Sequence, residues 1–81
     1  MIKVLFFAQT RELVGIDELT LEEEFSTVEE LRAHLFAQEG KWELALEPGK
    51  LLAAVNQAIV PLESEIKSGD EVAFFPPVTG G

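Results

Sequence analysis

Few residues in this chain could do chemistry, and the most distinctive of them are the last eight, Phe74-Phe75-Pro76-Pro77-Val78-Thr79-Gly80-Gly81. An apolar strand end runs into two prolines and then stops on a Gly-Gly carboxylate. The prolines fix φ in the extended range and cannot continue a central strand, so the chain is expected to leave the sheet stiffly. Gly80 and Gly81 carry no Cβ, which lets the backbone pass through a channel too narrow for side chains. From Pro76 to Gly81 an extended chain reaches roughly 20 Å at ~3.3 Å per residue. That length is enough to enter another protein's active site while the folded body stays outside. A Gly-Gly pair taken alone also fits an ordinary frayed end or an expression scar. Its direct junction to Phe-Phe-Pro-Pro speaks for a functional tail.

The remaining candidates for chemistry are sparse. There are no cysteines, which excludes disulfides, a thiolate metal site and a cysteine nucleophile. If the protein handles sulfur or acyl groups, something other than a side-chain thiol must carry them. His34 is the only histidine. With no second histidine or cysteine, and no serine-histidine pattern, it reads as a partly exposed helix residue and not as a ligand or base. No metal set and no phosphate loop is visible, so no metal or cofactor is expected on this chain and a stand-alone enzyme is the least favoured class.

Eighty-one residues make one small domain with little room for an enclosed active site. Fifteen acidic against six basic residues leave a net charge of −9. That balance argues against nucleic-acid phosphate, whose binding is driven by cations, and makes a basic protein surface the natural complement. A merely soluble acidic surface is the plain alternative. The apolar run Ile2 to Ala8 is broken by Lys3 and is too short for a signal segment or a membrane span, so the cytoplasm is the expected compartment.

The elements that must position the tail follow from periodicity. Ile2 to Gln9 is rich in β-branched and aromatic residues and reads as a strand with faces Ile2, Val4, Phe6 and Lys3, Leu5, Phe7. Both faces are largely apolar, which marks a central strand. Arg11 to Gly15 reads as a helical turn closed by the glycine. Glu18 to Glu24 reads as a second strand, antiparallel to the first, with acidic side chains suited to an edge. Ser26 and Thr27 offer N-caps with Glu29 or Glu30 at capping-box distance, and Phe25 is placed as a staple. Val28, Leu31, Leu35 and Phe36 then follow at helical spacing up to Gly40.

Beyond that helix, Trp42 and Leu46 share a face of a short helical turn within Lys41 to Glu47, which Pro48-Gly49 breaks. Trp42 is expected to pack in or at the rim of the core. Leu51 to Val55 and Ala58 to Val60 flank the turn candidate Asn56-Gln57 and read as a hairpin. Pro61 to Ile66 is expected to be a 3₁₀ turn, and Ser68-Gly69-Asp70 a tight turn into the last strand, Glu71 to Phe75. Val72 and Phe74 share one face of that strand, Ala73 and Phe75 the other.

The order strand, strand, helix, strand, strand, strand implies an α+β fold of the β-grasp, or ubiquitin-like, type. It has a mixed sheet of about five strands, one main helix across one face and a flexible tail. Residues 1–75 form the domain and 76–81 the extended C-terminal tail. The helix covers one face only. Leu5 or Phe7, Ile59 and Phe75 are then candidates for an exposed apolar patch on the other, a feature that marks contact surfaces.

At this point the chain resembles the small subunit of molybdopterin synthase, a family of ubiquitin-like sulfur carriers. The likeness runs through Ile2-Lys3-Val4-Leu5-Phe6-Phe7-Ala8, Arg11-Glu12-Leu13-Val14-Gly15, Leu52-Ala53-Ala54-Val55-Asn56-Gln57 and Gly69 to Gly81. Gly-Gly on this fold says only carrier or modifier; Phe-Phe-Pro-Pro-Val-Thr-Gly-Gly is the specific signal. The resemblance implies that an E1-like, ATP-dependent adenylating enzyme activates Gly81. Sulfur then displaces AMP and leaves a thiocarboxylate. It further implies that Pro76, Pro77, Val78, Thr79 and Gly80 thread the tail into the large subunit, in a heterotetramer. There the sulfur attacks cyclic pyranopterin monophosphate to build the dithiolene. No cofactor is bound by this chain, ATP is used by the activating enzyme, and the catalytic groups belong to the large subunit. The family's docking face corresponds by position to Phe75, Ile59 and Phe7, with Arg11 as a polar neighbour. A sister carrier for thiamine thiazole or tRNA thiolation shares the fold and the Gly-Gly, and a noncovalent β-grasp binding module is the alternative of a different class.

Overall fold

A computed structural model describes residues 1–38, 42, 46 and 51–76. Among the described residues the elements follow in the order β1 (Ile2–Phe6), α1 (Ala8–Val14), β2 (Glu18–Leu21), α2 (Val28–Phe36), β3 (Leu52–Val55), β4 (Ala58–Val60) and β5 (Glu71–Phe75). The strands form one mixed sheet in the order β2-β1-β5-β3-β4. β1 and β5 run parallel near its centre, in the register Val4↔Val72 and Phe6↔Phe74, and the other neighbours are antiparallel. This is the β-grasp arrangement expected from the order of elements.

Alternation along the two central strands sends Ile2, Val4, Phe6, Val72 and Phe74 to one face, where all are buried. α2 lays Val28, Leu31 and Leu35 on them at helical spacing, each fully buried. Val14, Leu46, Leu51, Ala53 and Ile66 complete the core. A fully buried leucine contributes about 2 kcal/mol from transfer alone, so this face carries most of the fold's stability. Trp42 is half-buried at the core rim, its ring edge-on to Phe6 at 5.6 Å. The Leu46 N–H donates to the Trp42 carbonyl at 3.0 Å, as one helical turn requires. The rest of the expected turn at Lys41 to Glu47, and the breaker Pro48-Gly49, lie outside the described residues.

The start of α2 shows how its unpaired N–H groups are satisfied. Thr27 is the N-cap, and its hydroxyl accepts from the Glu30 N–H at 3.2 Å. The Val28 N–H donates to the Ser64 carbonyl at 3.0 Å and the Glu29 N–H to that of Leu62 at 2.8 Å. The first three orphan donors are thus all met. That pairing explains why the i→i+3 turn expected over Pro61 to Ile66 is confined to Pro61–Ser64. A single turn, Ser64 N–H to Pro61 carbonyl at 3.0 Å, leads into a bridge between Glu65 and Thr27, because these carbonyls face the helix.

Other boundaries shift inward. β1 stops at Phe6 and not Gln9, because the chain bends at Ala8 and enters α1. β2 ends at Leu21 rather than Glu24, where Ile2 is the last partner β1 offers it. α2 ends at Phe36 rather than running to Gly40, with Ala37 as a right-handed C-cap; Gly40 itself lies outside the described residues. The hairpin turn forms as expected, and Asn56 and Gln57 both take positive φ, 50° and 74°. Gln57 accepts that conformation because β3 and β4 pair from Val55↔Ala58 onward, and a two-residue turn between twisted strands demands it.

One buried charge was not foreseen. Arg32 sits on α2 among core residues at 5% exposure. Its guanidinium forks onto Glu29 at 2.8 and 2.6 Å and donates to the Leu46 carbonyl at 2.8 Å. Hydrogen bonding to Arg32 holds the Glu29 carboxyl below its usual range, and the same bonds raise Arg32. The bond to the Leu46 carbonyl ties the helix to the Trp42 turn, while the fork onto Glu29 stays within the helix.

Candidate docking face at the root of the tail

β5 ends at Phe75, directly before the residues expected to form the tail, so the neighbours of Phe75 define the ground at that end of the sheet. On one side Leu52 of β3 lies directly opposite Phe75. On the other, the Phe7 N–H donates to the Phe74 carbonyl at 3.3 Å. Phe7 is still extended, with φ −125° and ψ 158°. Alternation from the buried Phe6 therefore turns Phe7 to the open face, next in line to Phe75. Phe75 is half-buried, and Pro76 beyond it is half-buried too. Pro77, Val78, Thr79, Gly80 and Gly81 lie outside the described residues.

One register step back, a row runs across the sheet through Leu5, Ala73, Ala54 and Ile59. Ala73 and Ala54 are buried by their neighbours, whereas Ile59 is 69% exposed and Phe7 47%. The face opposite α2 thus presents an apolar strip with a shallow floor of alanines and projecting Ile59, Phe7 and Phe75. Its far side is polar: Glu18 pairs with Lys3 at 3.5 Å, both half-exposed. Exposed apolar area of this kind on a small domain marks a contact surface. Ala73 shares the face of Phe75 by alternation within β5. Leu52 and Ala54 enter the strip through the β3–β5 register, which no local pattern encodes.

Arg11 is exposed on α1, where its N–H donates to the Phe7 carbonyl at 3.3 Å. Its side chain lines a shallow depression with Glu12, Gly15, Ile16, Asp17 and Glu18, on the β2 side of the face. It is not in strand register with Phe75. His34 is placed apart from the strip, on the helix. Its Nε2 lies 3.4 Å from Glu23 and its ring 5.2 Å from Phe25. Among the described residues no three carboxylate or histidine groups converge as a metal site. No helix among them is long and apolar enough to cross a membrane.

Such an arrangement can bind through the strip and present whatever follows Pro76 at one end of it. Comparison with known proteins gives the family. Residues 4–81 match the ThiS family. Over all 81 residues, and the full length of each relative, the chain is 63% identical to the molybdopterin synthase sulfur carrier subunit of Haemophilus influenzae and 64% to that of Escherichia coli. Among solved structures, the small archaeal modifier protein 1 of Methanosarcina acetivorans superposes with a TM-score of 0.79 at 26% identity, covering 99% of this chain and 95% of that one. A chain in the complex of subunits 1 and 2 of molybdopterin-converting factor from Helicobacter pylori superposes with a TM-score of 0.68 at 26% identity, covering 99% and 97%. The chain belongs to the ThiS family, on the branch of the molybdopterin synthase sulfur carrier subunits.

Proposed function

We propose that Gly81 is the group that carries the sulfur. The observation that supports this reading most directly is the 63–64% identity to sulfur carrier subunits over an alignment that covers all 81 residues, the Gly-Gly end included. The Gly81 carboxylate is ionised at neutral pH and a poor electrophile. An E1-like enzyme using ATP converts it to an acyl-adenylate with release of pyrophosphate. Sulfide-level sulfur from a donor then attacks the acyl carbon and the bond to the AMP oxygen breaks, leaving a thiocarboxylate and free AMP. In the large subunit of molybdopterin synthase the thiocarboxylate sulfur attacks a side-chain carbon of cyclic pyranopterin monophosphate, forming a C–S bond as an oxygen substituent leaves that carbon. Water cleaves the resulting thioester, so that sulfur stays on the pterin and the carboxylate returns to Gly81. Two deliveries complete the dithiolene.

In this reading residues 1–75 are the docking body and 76–81 the working tail. Phe75, Ile59 and Phe7 contact both partners in turn. Pro76 and Pro77 direct the tail away from the sheet, and Val78, Thr79 and Gly80 line its path into the large subunit. General base and oxyanion donors come from the partner. The reactions take place in the cytoplasm, where ATP is at hand. The intact mass after incubation with ATP, activating enzyme and sulfur donor tests the proposal. The expected result is a shift equal to exchanging one oxygen for one sulfur, absent when Gly81 is deleted. No shift with a demonstrably active enzyme overturns it.

A further inference from the structure

The bend between β1 and α1 is made at a single residue. Ala8 has φ 53°, the left-handed region that an L side chain with a Cβ enters only at a cost. Among the described residues the other non-glycine positions with positive φ are Asn56 and Gln57, both in the hairpin turn. The other isolated left-handed bends, at φ 82° and 95°, are occupied by Gly15 and Gly69. A bend that served folding alone would be met at lower cost by glycine at position 8 as well.

The backbone on either side of Ala8 belongs to two elements at once. The Phe7 N–H makes the last rung to β5, at the Phe74 carbonyl, and the Phe7 carbonyl accepts the first hydrogen bond of α1, from the Arg11 N–H. A right-handed or extended Ala8 would send α1 in another direction and break at least one of these bonds. The left-handed bend keeps both, and so fixes the Phe7 ring on the open face while α1 packs against β5. We infer that Ala8 is a positioning residue for the docking face, holding Phe7 in line with Phe75 at the root of the tail. This inference rests on the docking role proposed above. The methyl group of alanine narrows the freedom that glycine would restore to Phe7.

Three replacements at position 8, compared with Phe75→Ala in binding to the large subunit, test it. Ala8→Gly removes the steric cost but frees the bend. It is expected to leave Tm unchanged or slightly raised while affinity falls about two- to fivefold. D-Alanine at position 8, introduced by chemical synthesis, favours positive φ. It is expected to raise Tm by about 5 °C and keep wild-type affinity. Ala8→Val, β-branched, is expected to weaken binding about tenfold. A purely structural role would move Tm and affinity together, whereas here Ala8→Gly separates them. Wild-type affinity in Ala8→Gly with weakened Phe75→Ala overturns the inference and leaves the docking role standing. Unchanged affinity in Phe75→Ala overturns the docking role. A lowered Tm with D-alanine also overturns the inference, and decides the matter with Ala8→Gly should Ala8→Val fail to fold.

Discussion

Phe75 faces the open side of the sheet while its backbone passes the chain on to Pro76, so one residue joins the apolar strip to the segment proposed as the working tail. Under the proposed function, truncation to alanine is expected to weaken binding to the large subunit, and to an activating enzyme, by about 2 kcal/mol each, the range of an aromatic anchor at an interface. Calorimetric titration reads this directly, and unchanged affinity removes the ring from the interface. Ile59→Ala offers a cleaner comparison, because a side chain 69% exposed contributes within about 0.5 kcal/mol to folding. Away from the strip, the Asp70 carboxylate accepts from the Lys67 N–H at 2.8 Å and from the Asn56 amide at 3.1 Å. The Lys67 bond, followed by that of Asn56, holds its pKa below the ordinary aspartate value. Its stabilising effect is therefore present above the unfolded-state pKa and is lost as pH falls through the lower folded one. Wild type and Asp70→Ala are expected to differ in denaturant midpoint at neutral pH and to converge in acid; a gap that persists at low pH counts against the carboxylate.

At the scale of elements, two turns of chain carry disproportionate weight. The Thr27 cap and the carbonyls of Leu62 and Ser64 together seat the helix that covers the core. Thr27→Ala is expected to cost about 1 kcal/mol, a fall in Tm of about 4–8 °C for a domain of this size. The hairpin between β3 and β4 turns on Asn56-Gln57, and Asn56 also accepts from the Glu71 N–H at 3.1 Å. Asn56 should therefore stay, whereas Gln57, at φ 74°, is the strained partner. Gln57→Gly is expected to raise stability by up to about 1 kcal/mol. A lower denaturant midpoint in that variant would mean that the glutamine side chain makes a compensating contact.

For the whole molecule, net charge and exposed apolar strip work on different quantities. The strip supplies contact area, while a charge of −9 sets a long-range field that favours approach to a basic surface. Association with the large subunit is expected to slow by about tenfold or more as salt is raised, with the dissociation rate much less affected. A salt-independent association rate, measured by stopped flow, would assign the charge to solubility alone.

Much was legible in the amino-acid order. Alternation of Ile2, Val4, Phe6 and of Val72, Phe74, the capping pattern at Thr27 and the apolar spacing of α2 each carry a local period, and local periods determine elements and their buried faces. The two-residue turn at Asn56-Gln57 was legible from the two strand runs it separates, whereas the choice between Leu5 and Phe7 for the exposed strip was decided by the structure, which leaves Phe7 47% exposed. The family was legible in the residues from Phe74 to Gly81, because that run is distinctive in itself. What tertiary structure alone decided is whatever depends on which strands are neighbours. Leu52 meets Phe75, and Ala54 and Ala73 floor the strip, because β5 inserts between β1 and β3. Arg32 is buried because a turn distant in sequence brings the Leu46 carbonyl to it. The bend at Ala8 likewise answers to β5 and α1 together, and an alanine between a phenylalanine and a glutamine carries no local sign of it.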